Sequence, residues 1–297
     1  MWFVLSLITV LIWGFGDLFT KIGSNEDDKY SHWKIVFFVG TVMGLHATVT
    51  LLLGAKFNPM DFIRYSPAIV CYVSSMILGY VGLRYILLSV SSPICNSSGA
   101  IAGALCLAFL KQVPDGVSTV GIVLVTIGVT GLAFAEERTS DITNVDGQKY
   151  KKGFVAVFFP IFYCILDGLG TFADAVILDS GKINEESANI AYEYTFFIMA
   201  VFSFVYVYII HKEKFCFKKE LPKLATGICE TAGQFSYIYA IGSNPTVVAP
   251  MVSSYCVVSV VLSRIILKER LNTKQKITVL IVLLGILLMG IAEGLGN

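Results

Sequence analysis

The sequence predicts an all-α polytopic membrane protein, with ten transmembrane helices arranged as two inverted five-helix repeats. Three observations predict it. Of the 297 residues, 56% are apolar and only 14% are charged, whereas a soluble domain carries about 25% charged residues. That is too little charge to cover a water-facing surface. Apolar runs of about 20 residues, the length that crosses hydrocarbon, recur ten times between short polar breaks. Finally, residues 90–136 align without a gap on residues 247–293, at an offset of 157.

The ten spans are expected near 2–23, 33–54, 67–89, 92–110, 116–136, 153–178, 188–211, 221–242, 245–267 and 273–293. The breaks are Ser24–Ser31, Lys56–Tyr65, Lys111–Asp115, Glu136–Lys152, Asp179–Ser187, Lys212–Glu220 and Lys268–Lys274, with two weaker ones at Ser89–Ser92 and Ser243–Pro245. Each weak break is a few small residues beside a Pro, enough for a tight hairpin. The chain reads as a first five-helix repeat over 1–136, a polar linker over 137–152 and a second repeat over 153–297. The first apolar run has no basic n-region and no small-residue cleavage site, so it reads as a span rather than a removable signal.

Lys and Arg set the expected orientation. The connections that follow spans 1, 5, 7 and 9 hold sixteen of them, and those that follow spans 2, 4, 6 and 8 hold four. This bias places the odd connections in the cytoplasm and both termini outside, in a plasma (cytoplasmic) membrane. Net charge is +1 and no basic stripe with interleaved aromatics occurs, so no nucleic-acid partner is expected. Six of the seven Cys lie in apolar segments and no CxxC pair occurs. They read as small hydrophobes, and neither a metal nor a cofactor is expected.

Within the self-match, Pro93/Pro250, Ser97/Ser254, Lys111/Lys268, Gly128/Gly285 and Glu136/Glu293 are identical pairs in register. Apolar matches between membrane helices mean little; matched Pro, Lys, Gly and Glu mean more. Trp13-Gly14-Phe15-Gly16 also faces Asp167-Gly168-Leu169-Gly170 at a nearby offset. Five spans is an odd number, so the second half re-enters the membrane in the opposite sense. Inverted repeats of this kind place a site near the midplane, between the halves.

Several segments carry a family resemblance: LIWGFGDLFTKIG in span 1, the Pro-containing starts of spans 4 and 9, and LKERLNTKQ between spans 9 and 10. On these the chain resembles the drug/metabolite transporter superfamily and, within it, the EamA-type ten-span carriers. LKERLNTKQ is similar to that family's LGERLT-type turn, with Glu269 at the acidic position. The first half departs there, with Gln112 and Pro114 in LKQVPDG. The resemblance implies a carrier working by alternating access, with spans 1, 3, 4, 6, 8 and 9 lining the site. Many members of that family are assigned cytoplasmic termini; the charge distribution of this chain points the other way.

A charge at the bilayer centre costs about 2.5–3.5 kcal/mol on insertion scales, so ionisable residues in spans should face protein or water. Asp17 and Lys21 share a face of span 1. They form either an intrahelical pair near the span end or, with Trp13 and Asp17 together, a cavity wall suited to an organic cation. Glu230, Gln234 and Tyr237 form one polar stripe on span 8, read as pore lining or as a helix–helix seam. Asp167 sits mid-span 6 beside Gly168 and Gly170. Asp174, nearer the end, reads as interfacial, and Glu193 lies only about five residues into span 7. His46 reads as a lone packing histidine, Arg84 as a structural partner inside span 3, and Arg264 as a snorkelling end residue. Pro93 and Pro250 are expected helix breaks, freeing backbone one turn upstream beside Asn96-Ser97 and Ser253-Ser254. The spacings Gly40/Gly44, Gly99/Gly103 and Gly121/Gly128/Gly131 suit close helix packing.

The expected site therefore comprises Trp13, Asp17, Asn96, Asp167, Glu230, Gln234, Tyr237, Ser254 and Tyr255, with Asp17 and Glu230 as candidates for proton coupling. The expected activity is secondary transport of a small organic solute (an amine, quaternary ammonium compound or amino-acid-like metabolite), driven by protons or by exchange. The partners expected are that solute and the lipid bilayer, with the protein a monomer or weak homodimer. The competing class is an intramembrane enzyme acting on lipid or peptide. It would need a reactive centre, and neither HExxH nor GxSG occurs; no GxxxxGK[ST] of an ATPase occurs either.

Overall fold

The computed structural model describes residues 1–24, 28–111, 113–134, 158–269 and 271–296. Gln112, Glu136 and the expected linker over 137–152 lie outside the described residues. The described residues form α-helices and connecting turns: α1 Trp2–Gly23, α2 Ser31–Leu52, α3 Met60–Gly82, α4 Leu88–Asn96, α5 Ser98–Leu110, α6 Gly116–Phe134, α7 Phe158–Asp179, α8 Glu185–Phe204, α9 Phe217–Ser243, α10 Pro245–Ser253, α11 Tyr255–Leu262 and α12 Thr273–Gly296. A π-turn, Val205–Ile210, extends α8, and another, Ser263–Leu267, extends α11. The pairs α4–α5 and α10–α11 each make one interrupted crossing. Among the described residues, nine crossings are long and apolar enough to span a membrane. The tenth, α9, carries Glu220, Lys223, Glu230 and Gln234 and tolerates them by packing against α1 and α2.

The third span corrects its expected limits. Pro67 was expected to open it, but the helix starts at Met60 and Pro67 lies inside. The Asn58 side chain accepts the Met60 N–H at 2.9 Å, an Asx turn that leads the chain into the helix. The missing N–H of Pro67 frees the Ile63 carbonyl, and the Ser66 hydroxyl donates to it at 2.8 Å. The following break therefore falls at Leu83–Leu87 instead of Ser89–Ser92. Arg84 leaves the span for that connection, where it adds to the positive charge of the odd connections.

The two interrupted crossings break at Ser97 and Ser254, with ψ of −9° and −6°. Each break falls one turn after its proline, and both prolines lie inside the helix that precedes it. Both crossings end in a left-handed residue, Lys111 at φ 55° and Lys268 at φ 59°. The next helices start on matching caps. Asp115 accepts the Val117 and Ser118 N–H groups, each at 2.9 Å, ahead of α6. Bonding to Ser118 holds the Asp115 carboxyl below the usual range. Asn272 and Gln275 exchange reciprocal bonds of 2.8 and 2.9 Å at the start of α12, a capping box. The pairs Ser97/Ser254, Lys111/Lys268 and Asp115/Asn272 each lie 157 residues apart, and each performs the same local task. Pro114 in LKQVPDG thus precedes a working cap.

The main packing contacts join the two halves. α1 lies on α9, α2 on α8, α3 on α7 and α6 on α12, while α5 meets α10 and α4 meets α11. Small residues allow the close approaches. Gly121 lies against Gly285 of α12, Gly103 against Pro250, and Gly40 against the Phe196 backbone. One end of the bundle gathers the connections after spans 1, 3, 7 and 9. There Lys21 Nζ donates to the Leu83 and Ile86 carbonyls at 2.7 and 2.6 Å. Lys34, buried, meets Asp28 at 2.8 Å and Glu220 at 3.8 Å, and Lys223 meets Glu220 at 2.6 Å. The opposite end gathers the connections after spans 2, 6 and 8: Ser187 donates to the Lys56 carbonyl at 3.2 Å, and Glu185 lies over Gly242.

Candidate functional site

A cavity opens inside the bundle, where the two interrupted crossings meet α1, α3, α7 and α9. Counting its open side, the empty space is about 760 Å³. Trp13, Asp17 and Thr20 face it from α1, Tyr72 and Tyr80 from α3, Ser91, Ser92 and Cys95 from α4, Tyr163 and Asp167 from α7, Glu230 and Gln234 from α9, and Tyr255 from α11. Tyr192 adds a residue from span 7, outside the lining expected from the family resemblance. A second compartment shares Trp13, Tyr72, Asp167 and Tyr255 and adds Asn96, Ser98, Thr171, Tyr237 and Ser253.

Three carboxylates reach this space from three helices. Asp17 accepts hydrogen bonds from Ser92 at 2.5 Å and Ser259 at 2.7 Å, tying α1 to α4 and α11. Asp167 accepts from Ser98 at 2.7 Å. No hydrogen bond from the described residues reaches the Glu230 carboxylate, which leaves its oxygens to whatever enters the cavity. No Lys, Arg or His stands within ion-pair distance of any of the three among the described residues. Uncompensated carboxylates away from bulk water are costly unless a cation or proton joins them.

The walls between the carboxylates are aromatic. The Trp13 ring lies 5.2 Å from Tyr237 and 5.7 Å from Tyr255, centroid to centroid. Its indole N–H points to the Glu230 carbonyl at 3.5 Å, and Gly233 leaves room for the ring. Ring faces beside carboxylates suit a cation, because the faces carry the negative lobe of the quadrupole.

Of the expected site residues, Trp13, Asp17, Asp167, Glu230, Gln234 and Tyr255 border the main space, and Asn96 and Tyr237 border the second compartment. Asn96 also donates to the Ser92 carbonyl at 2.9 Å. Ser254 borders neither: it is the fully buried junction of α10 and α11, and Ser253 takes its place. One residue turns a helix by about 100°, so a one-residue error moves the side chain out of the cavity. Asp174 is not interfacial. It is 0% exposed and bonded by Tyr65 and Tyr72. His46 is not alone, since its Nδ1 lies 2.8 Å from the buried Glu193 carboxylate, which also accepts from Asn189 at 3.0 Å. Arg84 reaches His32 at 3.3 Å. Arg264 stays exposed near the Glu269 carbonyl.

The tyrosines at 72, 163 and 192 were not singled out from sequence, and Tyr80 was noted only as a neighbour of Arg84. Tyrosine counts as apolar in a span, and its hydroxyl leaves no periodic mark. One signal was available, because Tyr65/Tyr72 and Asp167/Asp174 repeat the same seven-residue spacing on neighbouring helices. A second unexpected role belongs to Glu269, whose carboxylate accepts the Leu88 and Ser89 N–H groups at 3.3 and 3.0 Å and caps α4 from the other half. Removing this cap with Glu269→Ala should cost about 1 kcal/mol. A lower thermal midpoint of the purified protein would register it, and an unchanged midpoint would show that the cap contributes nothing.

A model of the EamA-like transporter family matches residues 182–291 of the chain. No curated protein matches the sequence. Among solved structures, one titled only "Crystal structure of protein" superposes with a TM-score of 0.66 at 12% identity, covering 100% of this chain and 99% of that one. At that identity the likeness carries the fold alone.

Proposed function

We propose that this chain, a multi-pass membrane protein with an EamA-like transporter domain over residues 182–291, is a secondary carrier for a small organic cation. The class includes amines, quaternary ammonium compounds and amino-acid-like metabolites. The observation that carries the reading is a set of three carboxylates, Asp17, Asp167 and Glu230, facing one aromatic cavity without a countercharge among the described residues. A solute cation supplies the missing charge, and Trp13 and Tyr255 supply its apolar and π contacts. Gln234, Asn96 and Tyr237 offer hydrogen bonds to a polar tail.

Residues 1–136 and 153–297 act in this reading as inverted repeats, and the two halves rock about the shared cavity. Matching breaks and caps 157 residues apart support the repeat, as do the packing pairs that join the halves. The positive end of the bundle is taken as cytoplasmic, which puts both termini outside in a plasma-membrane setting. Asp17 and Glu230 are the candidates for carrying a coupling proton between solute cycles. Reconstituted proteoliposomes provide the test. Saturable uptake or exchange of labelled amines or quaternary ammonium compounds is expected; exchange restricted to nucleotide-sugars or phosphates would overturn the cation reading.

A further inference from the structure

A fourth carboxylate lies outside the cavity, joined to it by hydroxyls. Asp174 is two helical turns beyond Asp167 on α7, about 10 Å along the axis, and is 0% exposed. Tyr65 of α3 donates to one of its oxygens. Tyr72 of α3 donates to the other at 2.8 Å. The Tyr72 hydroxyl also lies 2.9 Å from that of Tyr237 on α9. Tyr72 borders both compartments of the cavity, and Tyr237 borders the second. The order Tyr237, Tyr72, Asp174 is therefore an unbroken series of hydroxyls running from the cavity to a buried carboxylate.

We propose that Asp174 is a second proton site of this protein, filled from the cavity through the hydroxyls of Tyr237 and Tyr72. The coupling role of the site rests on the carrier reading above; its existence as a proton site does not. Each transfer balances. A hydronium ion or a protonated amine in the cavity gives a proton to the Tyr237 oxygen, and Tyr237 passes its own to Tyr72. Tyr72 passes its own to Asp174, which becomes neutral. Rotation of the two hydroxyls resets the series, and release runs it backwards. A fully buried carboxylate accepting two hydroxyl bonds is suited to switching between these two states.

The groups around Asp174 favour this over an ion-pair role. α3 presents Tyr65 and Tyr72, α9 presents Tyr237, and α8 presents Tyr192, whose ring lies edge-on to Tyr72 at 5.8 Å. On α7 the nearest charge is Asp167. No Lys, Arg or His of the described residues lies within ion-pair distance of Asp174. The site also lies toward the end of the bundle opposite the positive one, five residues before α7 ends at Asp179. A proton held there has left the cavity in the direction of the other membrane face.

Infrared spectroscopy of the purified protein in lipid reads the site without any solute. A protonated-carboxyl band is expected that Asp174→Asn removes, and its exchange with deuterium should slow at least tenfold in Tyr72→Phe. Absence of that band at every pH tested, or wild-type exchange in Tyr72→Phe, would overturn the proposal. Tyr72→Phe keeps the ring and its packing, so it carries the test if Asp174→Asn fails to fold. In proteoliposomes with tetramethylammonium as the probe, Asp174→Asn should lower accumulation driven by a proton gradient at least tenfold more than it lowers tracer exchange. Equal effects on both would overturn the coupling role. Wild-type protein that moves no solute would instead count against the carrier reading, while the infrared result still decides Asp174.

Discussion

Glu230→Gln is expected to weaken the apparent affinity for a cationic solute about ten- to a hundredfold while leaving the fold intact. The reason is local. The Glu230 carboxylate receives no hydrogen bond from the described residues, so the amide breaks no contact within the protein. A charge-assisted hydrogen bond to solute contributes roughly 1.5–3 kcal/mol, and each 1.4 kcal/mol is about tenfold in affinity. Asp17→Asn makes the useful contrast. Ser92 and Ser259 both donate to Asp17, so the same change there also loosens the junction of α1, α4 and α11. Concentration dependence of uptake, paired with thermal midpoints, separates the two effects. If Glu230→Gln transports with the wild-type pH profile, Glu230 is not a coupling residue; an equal loss of stability in both variants would mean that Glu230 holds the helices and not the solute.

Gly40→Ala should cost about 3 kcal/mol, the upper part of the usual range for overpacking. A methyl group at residue 40 would sit 2.6 Å from the Phe196 carbonyl carbon and 2.8 Å from the Ala200 Cβ. The first obstacle is backbone and cannot rotate away, so α2 and α8 would have to separate. That seam also holds His46 beside Glu193, so separation would expose a buried carboxylate. Gly116→Ala is the control, because a methyl group there meets nothing within 4 Å. Expected outcomes are a lower midpoint or a smaller monodisperse fraction for Gly40→Ala and little change for Gly116→Ala. Equal behaviour of the two would show that the α2–α8 seam yields more readily than its contacts indicate.

The polar positions inside spans were legible where charge made them conspicuous. Asp17, Asp167 and Glu230 stand out against apolar neighbours, and all three reach the cavity. Asp174 was misjudged because its distance from the end of α7 suggested an interface, while its partners Tyr65 and Tyr72 sit more than a hundred residues earlier. His46 was read as solitary for the same reason: Glu193 is 147 residues away. Span 3 was misplaced by Pro67, since a proline that usually opens a helix can lie inside one when a neighbouring Ser satisfies the freed carbonyl. Glu269 was noticed as part of a turn, but the helix it caps belongs to the other half of the chain.

Sequence alone determined that this is a many-helix membrane protein. It also determined where most crossings begin and end, because apolar run length, left-handed residues and caps act within a few residues of one another. Their recurrence at 157 residues was equally readable, since each of these signals acts within its own short segment. Only the tertiary structure decided which helices pair across the halves, which tyrosines join the carboxylates, and that Asp174 lies at the end of a hydroxyl series and not at the membrane surface. Those outcomes depend on contacts between helices far apart in the chain. A span's composition says only that some polar face must find a partner, and the packing of small residues in the facing helices chooses which one.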